Sequence, residues 1–144
     1  MNVYWTNEDI KNLEQAQTFF ALFTIALGVL KKMPQPVAQV CGPISTGGTG
    51  SMEQNLAIMN KTIKALQSQG KAIFDQIPFQ AAIHRIKAAL GATSNFQLLH
   101  EFYLPLFEAG LIKGLYFLPD WQTSQGATWE HEQAKRLGLE IVYL

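Results

Sequence analysis

The chain has 144 residues, 48% of them hydrophobic and 15% charged, and its formal net charge is zero. That length holds one domain with a real core and is short for two. The sparse, balanced charge excludes a disordered chain and the basic stripe that duplex nucleic acid demands, but leaves room for a nucleotide monomer.

The single cysteine, Cys41, excludes an internal disulfide and a cysteine-type zinc site. His84, His100 and His131 show no metal-binding spacing, so neither a metal nor another cofactor is expected. The N-terminus carries Glu8 and Asp9 rather than a basic patch, and no small-residue cleavage site follows the apolar run. With the free thiol, this points to the cytoplasm.

Thr6 followed by Asp9 is a capping signal for a first helix, which the pattern extends to about Lys32, before Pro34 and Pro36. Leu13, Ala16, Phe20, Phe23, Leu27 and Leu30 make a heptad-like seam on it. From Phe19 to Leu30 nearly every face is apolar. The run is shorter than the roughly 20 residues that span a bilayer, so we expect burial against this domain and a second subunit rather than lipid. Residues 1–36 thus read as a packing or oligomerisation helix.

Val37–Cys41 reads as a strand, followed by a glycine-rich loop to Gly50. Met52–Gln69 is a helix with Leu56, Met59, Ile63 and Leu66 on one face and Gly70 as its stop. Lys71–Asp75 is a second strand, and Pro78 opens a helix to about Leu90 with Ala82, Ile83, Ile86 and Leu90 inward. Phe96–Ile112 is helical, kinked or split by Pro105, and Gly114–Leu118 is a third strand. After the Pro119–Gly126 loop come a helix to Leu137, Gly138 as its cap, and a last strand at Leu139–Leu144. Continuous apolar strands alternating with helices imply an α/β fold, its parallel sheet covered on both faces. Ligands of such folds bind at the carboxyl ends of the strands, where two loops stand out.

The first, Gly42-Pro43-Ile44-Ser45-Thr46-Gly47-Gly48-Thr49, nearly matches a phosphate-binding P-loop, but Gly48 stands where the lysine belongs. What remains is a donor-rich turn before a helix N-terminus, suited to phosphate or sugar hydroxyls or simply to turning the chain. The second runs from Pro119 through Asp120, Trp121, Ser124 and Gly126 to Glu130. A helix starting near Gly126 places Glu130 in its first turn and on the inward stripe with Ala127, Ala134 and Leu137. Ala127 rules out a capping box with Glu130, and Gln133 and Ala134 rule out a helical salt bridge, whereas Glu132 has Arg136. An unpaired inward carboxylate is costly and usually functional. The helix dipole would favour its anion, hence a nucleophile or electrostatic stabiliser rather than a general acid.

The run Phe117-Leu118-Pro119, Trp121, Ser124-x-Gly126-Ala127, Glu130 and Ala134 resembles the nucleoside 2-deoxyribosyltransferase superfamily. Cys41-Gly42-Pro43-Ile44 with Gly47, then Asn55, Leu66 and Gly70, resembles its first strand loop and following helix. The likeness covers roughly Val37–Leu144 and makes residues 37–144 the expected catalytic domain. It implies a flavodoxin-like three-layer αβα fold with four or five parallel strands, no cofactor, and a homo-oligomer, which agrees with the oligomerisation role read for the N-terminal helix outside the likeness. It also implies cleavage at C1′ of a deoxynucleoside or its 5′-monophosphate, with Glu130 attacking the sugar and Ser124 contacting phosphate. Gly42, Pro43, Ile44, Gly47, Gly48, Asp120 and Gly126 complete the expected nucleotide site, and Glu101 or His100 would handle the base. Gln39 stands where the superfamily often has a tyrosine. The alternatives are a non-catalytic nucleotide-sensing module and a related NAD-type N-glycosidase.

Overall fold

A computed structural model describes residues 3–144. The chain forms two compact units. One joins the N-terminal segment, through Met33, to Pro78–Leu111; the other comprises Pro34–Ile77 and Ile112–Leu144.

The first unit is helical. Helix α1 (Asn7–Gln15) opens with a capping box: the Asp9 N–H donates to Thr6 Oγ1 at 3.0 Å, and the Thr6 N–H donates to the Asp9 carboxylate at 2.9 Å. The single helix to Lys32 is corrected. The backbone turns extended at Ala16, and Thr18 caps a new helix, α2 (Phe19–Lys32), by accepting the Ala21 N–H at 3.1 Å. The break resets the helical phase, so the heptad seam does not run through. Phe19, Leu22, Ile25, Ala26, Val29 and Leu30 are buried, while Phe20 is 66% exposed. Helix α2 packs on a π-helical segment, Leu99–Tyr103, and on α6 (Leu104–Glu108), so its apolar side is covered within the chain.

The Pro78 helix begins after one 3-10 turn as α4 (Gln80–Leu90), and Leu90 is exposed rather than inward. Arg85 ties α4 to the α1–α2 break, donating to the Ala16 carbonyl at 2.6 Å. The expected Phe96–Ile112 helix is in pieces: α5 (Ser94–Leu98), the π turn, then α6. Pro105 falls at the second position of α6, directly after the π turn.

The second unit is α/β. Strands β1 (Val37–Cys41), β2 (Ala72–Ile73), β3 (Ile112–Phe117) and β4 (Glu140–Tyr143) form one parallel sheet in the order β2-β1-β3-β4. That is the flavodoxin-like order, and the expected fold class holds with four strands. Helices α3 (Met52–Ser68) and α7 (Gln125–Leu137) belong to this unit. All five residues of β1 are buried, as a central parallel strand requires. Its even-numbered side chains, Ala38 and Val40, join Met59, Ile63, Leu66, Ile73 and Leu118 in an apolar cluster. Among the described residues no helix is long and apolar enough to cross a membrane.

Candidate active site

The odd-numbered residues of β1 point to the other side of the sheet. Gln39 pairs with Leu115 and Cys41 with Phe117, which in turn pairs with Tyr143 on β4. Paired residues share a face, so these side chains line one surface, and Glu130 of α7 reaches it. Gln39 Nε2 donates to Glu130 Oε2 at 2.9 Å and lies 3.9 Å from Cys41 Sγ. Glu130 is 6% exposed and Gln39 is fully buried. The inward reading of Glu130 from the helical stripe is what the coordinates show.

Its expected charge is corrected. Burial pushes the Glu130 carboxyl up to about 8, against the downward pull of hydrogen bonds from Cys41 and Gln39. Ser124 caps α7 one residue earlier than expected, its Oγ accepting the Ala127 N–H at 3.1 Å. Glu130 therefore lies in the second turn, where the dipole has faded and desolvation wins. Burial and the neighbouring Glu130 hold the Cys41 thiol well above its ordinary range, so it is packed thiol rather than thiolate. The Gln39 carbonyl oxygen, Oε1, is buried without a hydrogen-bond partner among the described residues. An orphaned acceptor of this kind costs about 1–3 kcal/mol.

Asn55, buried on α3, shapes the glycine loop. It donates to the Ile44 and Gly47 carbonyls at 3.0 and 3.2 Å and accepts from the Thr49 N–H and hydroxyl at 3.0 and 2.8 Å. Gly47 and Gly48 have φ of 72° and 61°, and a Cβ on Gly47 would collide with the Thr123 carbonyl. The two loops are joined there. The Gly48 N–H donates to Thr123 Oγ1 at 2.8 Å, and the Gln125 N–H donates to Thr46 Oγ1 at 3.1 Å. The N–H groups of Gly48, Thr49, Gly50 and Ser51 are all bonded within the protein. The loop thus offers a ligand fewer donors than its composition suggests, mainly from Ile44–Gly47.

Beside Glu130, His131 stacks on Trp121 with centroids 4.2 Å apart, and its Nε2 lies 2.7 Å from Tyr143 Oη. Burial, with a smaller push from Lys135, lowers the His131 pKa.

The structure thus gathers Gln39, Cys41 and Glu130 on one face, and joins the Gly42–Gly48 loop to the Asp120–Gly126 segment. Gly42 and Pro43 are buried, Ile44 packs on the apolar cluster, and Asp120 is exposed. Ser124 and Gly126 form the start of α7, and the Ser124 oxygen expected to meet phosphate is occupied as the cap. His100 and Glu101 are exposed residues of the helical unit, where His100 stacks on Phe96 at 4.0 Å. A cleft of about 290 Å³ lies at the opposite, amino ends of the strands, among Pro34, Lys71, Lys113, Tyr116 and Glu140. It contains none of the expected catalytic or nucleotide-binding residues. Among the described residues no three His, Cys, Asp or Glu side chains converge to hold a metal ion.

A family model described as a domain of unknown function, DUF4406, matches residues 40–143, most of the chain. The chain belongs to the DUF4406 family. Comparison with curated proteins and with solved structures finds no match. The DUF4406 region contains Glu130, Cys41 and both loops, while Gln39 lies one residue before its start. Thr46 and Thr123 as loop fasteners and the Trp121–His131–Tyr143 group emerge only from the structure. A polar Gln39 inside the apolar run Val37–Cys41 was the available signal for its role.

Proposed function

We propose that the protein cleaves the N-glycosidic bond of a nucleoside or nucleoside 5′-monophosphate at C1′, with Glu130 as the attacking carboxylate. The observation carrying this reading is a buried carboxyl on α7, held by Gln39 of the central strand β1, with the two joined loops following β1 and β3. The residues shared with the nucleoside 2-deoxyribosyltransferase superfamily supply the reaction class. A Glu130 oxygen forms a bond to C1′ as the C1′–N bond breaks, and the electron pair leaves on the base nitrogen, which takes a proton from water. Water then attacks C1′, gives up its proton and regenerates the carboxylate; a second base in place of water gives transfer. The Ile44–Gly47 stretch and the start of α7 are suited to phosphate or sugar hydroxyls. The lone Cys41 thiol accords with a cytoplasmic enzyme. Exposed Phe20 on α2 is where a second copy would assemble in this reading.

Attack needs the ionised acid, so activity should rise with pH to a plateau above about 8. The test is chromatography of free base after incubation with ribo- and deoxynucleosides and their monophosphates, using wild type and Glu130→Gln. Base release that Glu130→Gln abolishes is the expected result; no release, or release untouched by the substitution, contradicts it.

The neutral Glu130 favours a second reading, a nucleotide-binding module without turnover. Saturable binding with no base release would select it.

A further inference from the structure

Resting on the glycoside-cleavage reading, we infer that Gln39 Oε1 is the acceptor for a sugar 2′-hydroxyl, so that the protein acts on ribosides in preference to 2′-deoxyribosides. Among the described residues one buried side-chain oxygen or nitrogen is left without a partner, and it is Gln39 Oε1. Gln39 is fully buried, in a strand whose other residues are apolar or a thiol. One end of its amide is committed, with Nε2 on Glu130 at 2.9 Å. The other end is an acceptor that lacks a donor.

The amide cannot satisfy itself by turning over. The attacking Glu130 is ionised and can only accept, so in the reacting state the amide N–H must face it and Oε1 cannot. A third group is required, and it must be a donor beside Glu130.

The sugar chemistry narrows that donor. An attacking carboxylate oxygen lies roughly 3–3.5 Å from C1′ in a productive complex. The amide is one hydrogen bond from that carboxyl, so Oε1 addresses atoms adjacent to C1′. The ring oxygen there only accepts, and the base nitrogen bonded to C1′ carries no hydrogen in a nucleoside. C2′ is the remaining neighbour, and its hydroxyl is a donor in a riboside and missing in a deoxyriboside. The resemblance implies a deoxyribosyl substrate; Gln39, at the position where that superfamily often has a tyrosine, points to the ribosyl one. The loops that follow β1 and β3 are fastened to each other by the side chains of Thr46 and Thr123.

The test compares matched substrates on the full chain. For each base, kcat/KM is measured for the ribonucleoside, the 2′-deoxynucleoside and the 2′-O-methyl nucleoside, which keeps the oxygen but not the donor. One hydrogen bond to a buried acceptor predicts a ribosyl preference of about 10-fold to 100-fold. The 2′-O-methyl compound should behave no better than the deoxy one. Gln39→Met, similar in length with no acceptor, should bring ribosyl and deoxyribosyl rates within about 3-fold of each other. Equal or faster deoxyribosyl cleavage by the wild type overturns the Gln39 assignment and leaves glycoside cleavage standing. If no base is released from any substrate, cleavage itself fails, and equilibrium dialysis with the same nucleosides decides Gln39. Ribosyl binding about 10-fold tighter than deoxyribosyl then supports the assignment, and equal or absent binding overturns it. The substrate series needs no substitution, so it stands even if Gln39→Met folds poorly.

Discussion

The two sides of strand β1 are equally buried and chemically opposite. Ala38 and Val40 meet Met59, Ile63 and Leu66 in a purely apolar layer whose role is complete once packed. Gln39 and Cys41, on the other side, meet a carboxyl and leave an amide oxygen without a partner. One side contributes stability, and the other gives some up. Groups that destabilise a fold where hydrophobic residues would fit are where chemistry is to be sought.

The largest expected effect lies on the polar side. Glu130→Gln should reduce base release on the order of 10³-fold or more without unfolding the protein, read by chromatography alongside circular dichroism. On the apolar side, Met59→Ala should cost about 2–5 kcal/mol in urea unfolding. The same variant should leave the Glu130 titration where it was; a shift would mean that the two faces are not independent.

The pH dependence of stability separates the faces next. The folded Glu130 pKa, about 8, lies above the unfolded value of about 4.5. The native state therefore holds a proton that the unfolded chain has already released. Its stability is greatest below the unfolded value and falls as pH rises between the two, by on the order of 3 kcal/mol from pH 5 to 8. Glu130→Gln should flatten this slope and be the more stable protein at pH 8 in denaturant melts, whereas Met59→Ala should keep the slope.

Smaller effects belong to the loops. Gly47→Ala places a side chain on a backbone with φ of 72° and against the Thr123 carbonyl, which should cost about 1–3 kcal/mol and weaken nucleotide binding in calorimetry. Thr123→Val removes both the acceptor of the Gly48 N–H and the hydroxyl that donates to the Asp120 carbonyl, and should cost about 1–2 kcal/mol, seen as a small drop in melting temperature.

The contrast also explains what the sequence could disclose. The parallel sheet was legible because its strands are apolar runs separated by glycine stops and helical periods. Glu130 was legible as inward because it shares a stripe with Ala127 and Ala134 and no local pairing accounts for it. Its protonation was not, since a pKa depends on depth and on partners 91 residues away. The α1–α2 break was hidden because the spacing of Leu13, Ala16, Phe20 and Phe23 bridges Thr18 as if one helix continued. The loop fasteners were hidden because Thr46 and Thr123 meet only after folding.

The most direct measurement is to trap the sugar on the protein. Wild type is mixed with substrate at pH 8, quenched in acid within a turnover, digested, and its peptides weighed. The mass of one glycosyl group on the peptide containing Glu130, and nowhere else, is the predicted result. Free base formed with Glu130 unmodified at every quench time, or a glycosyl group on another residue, would contradict the account.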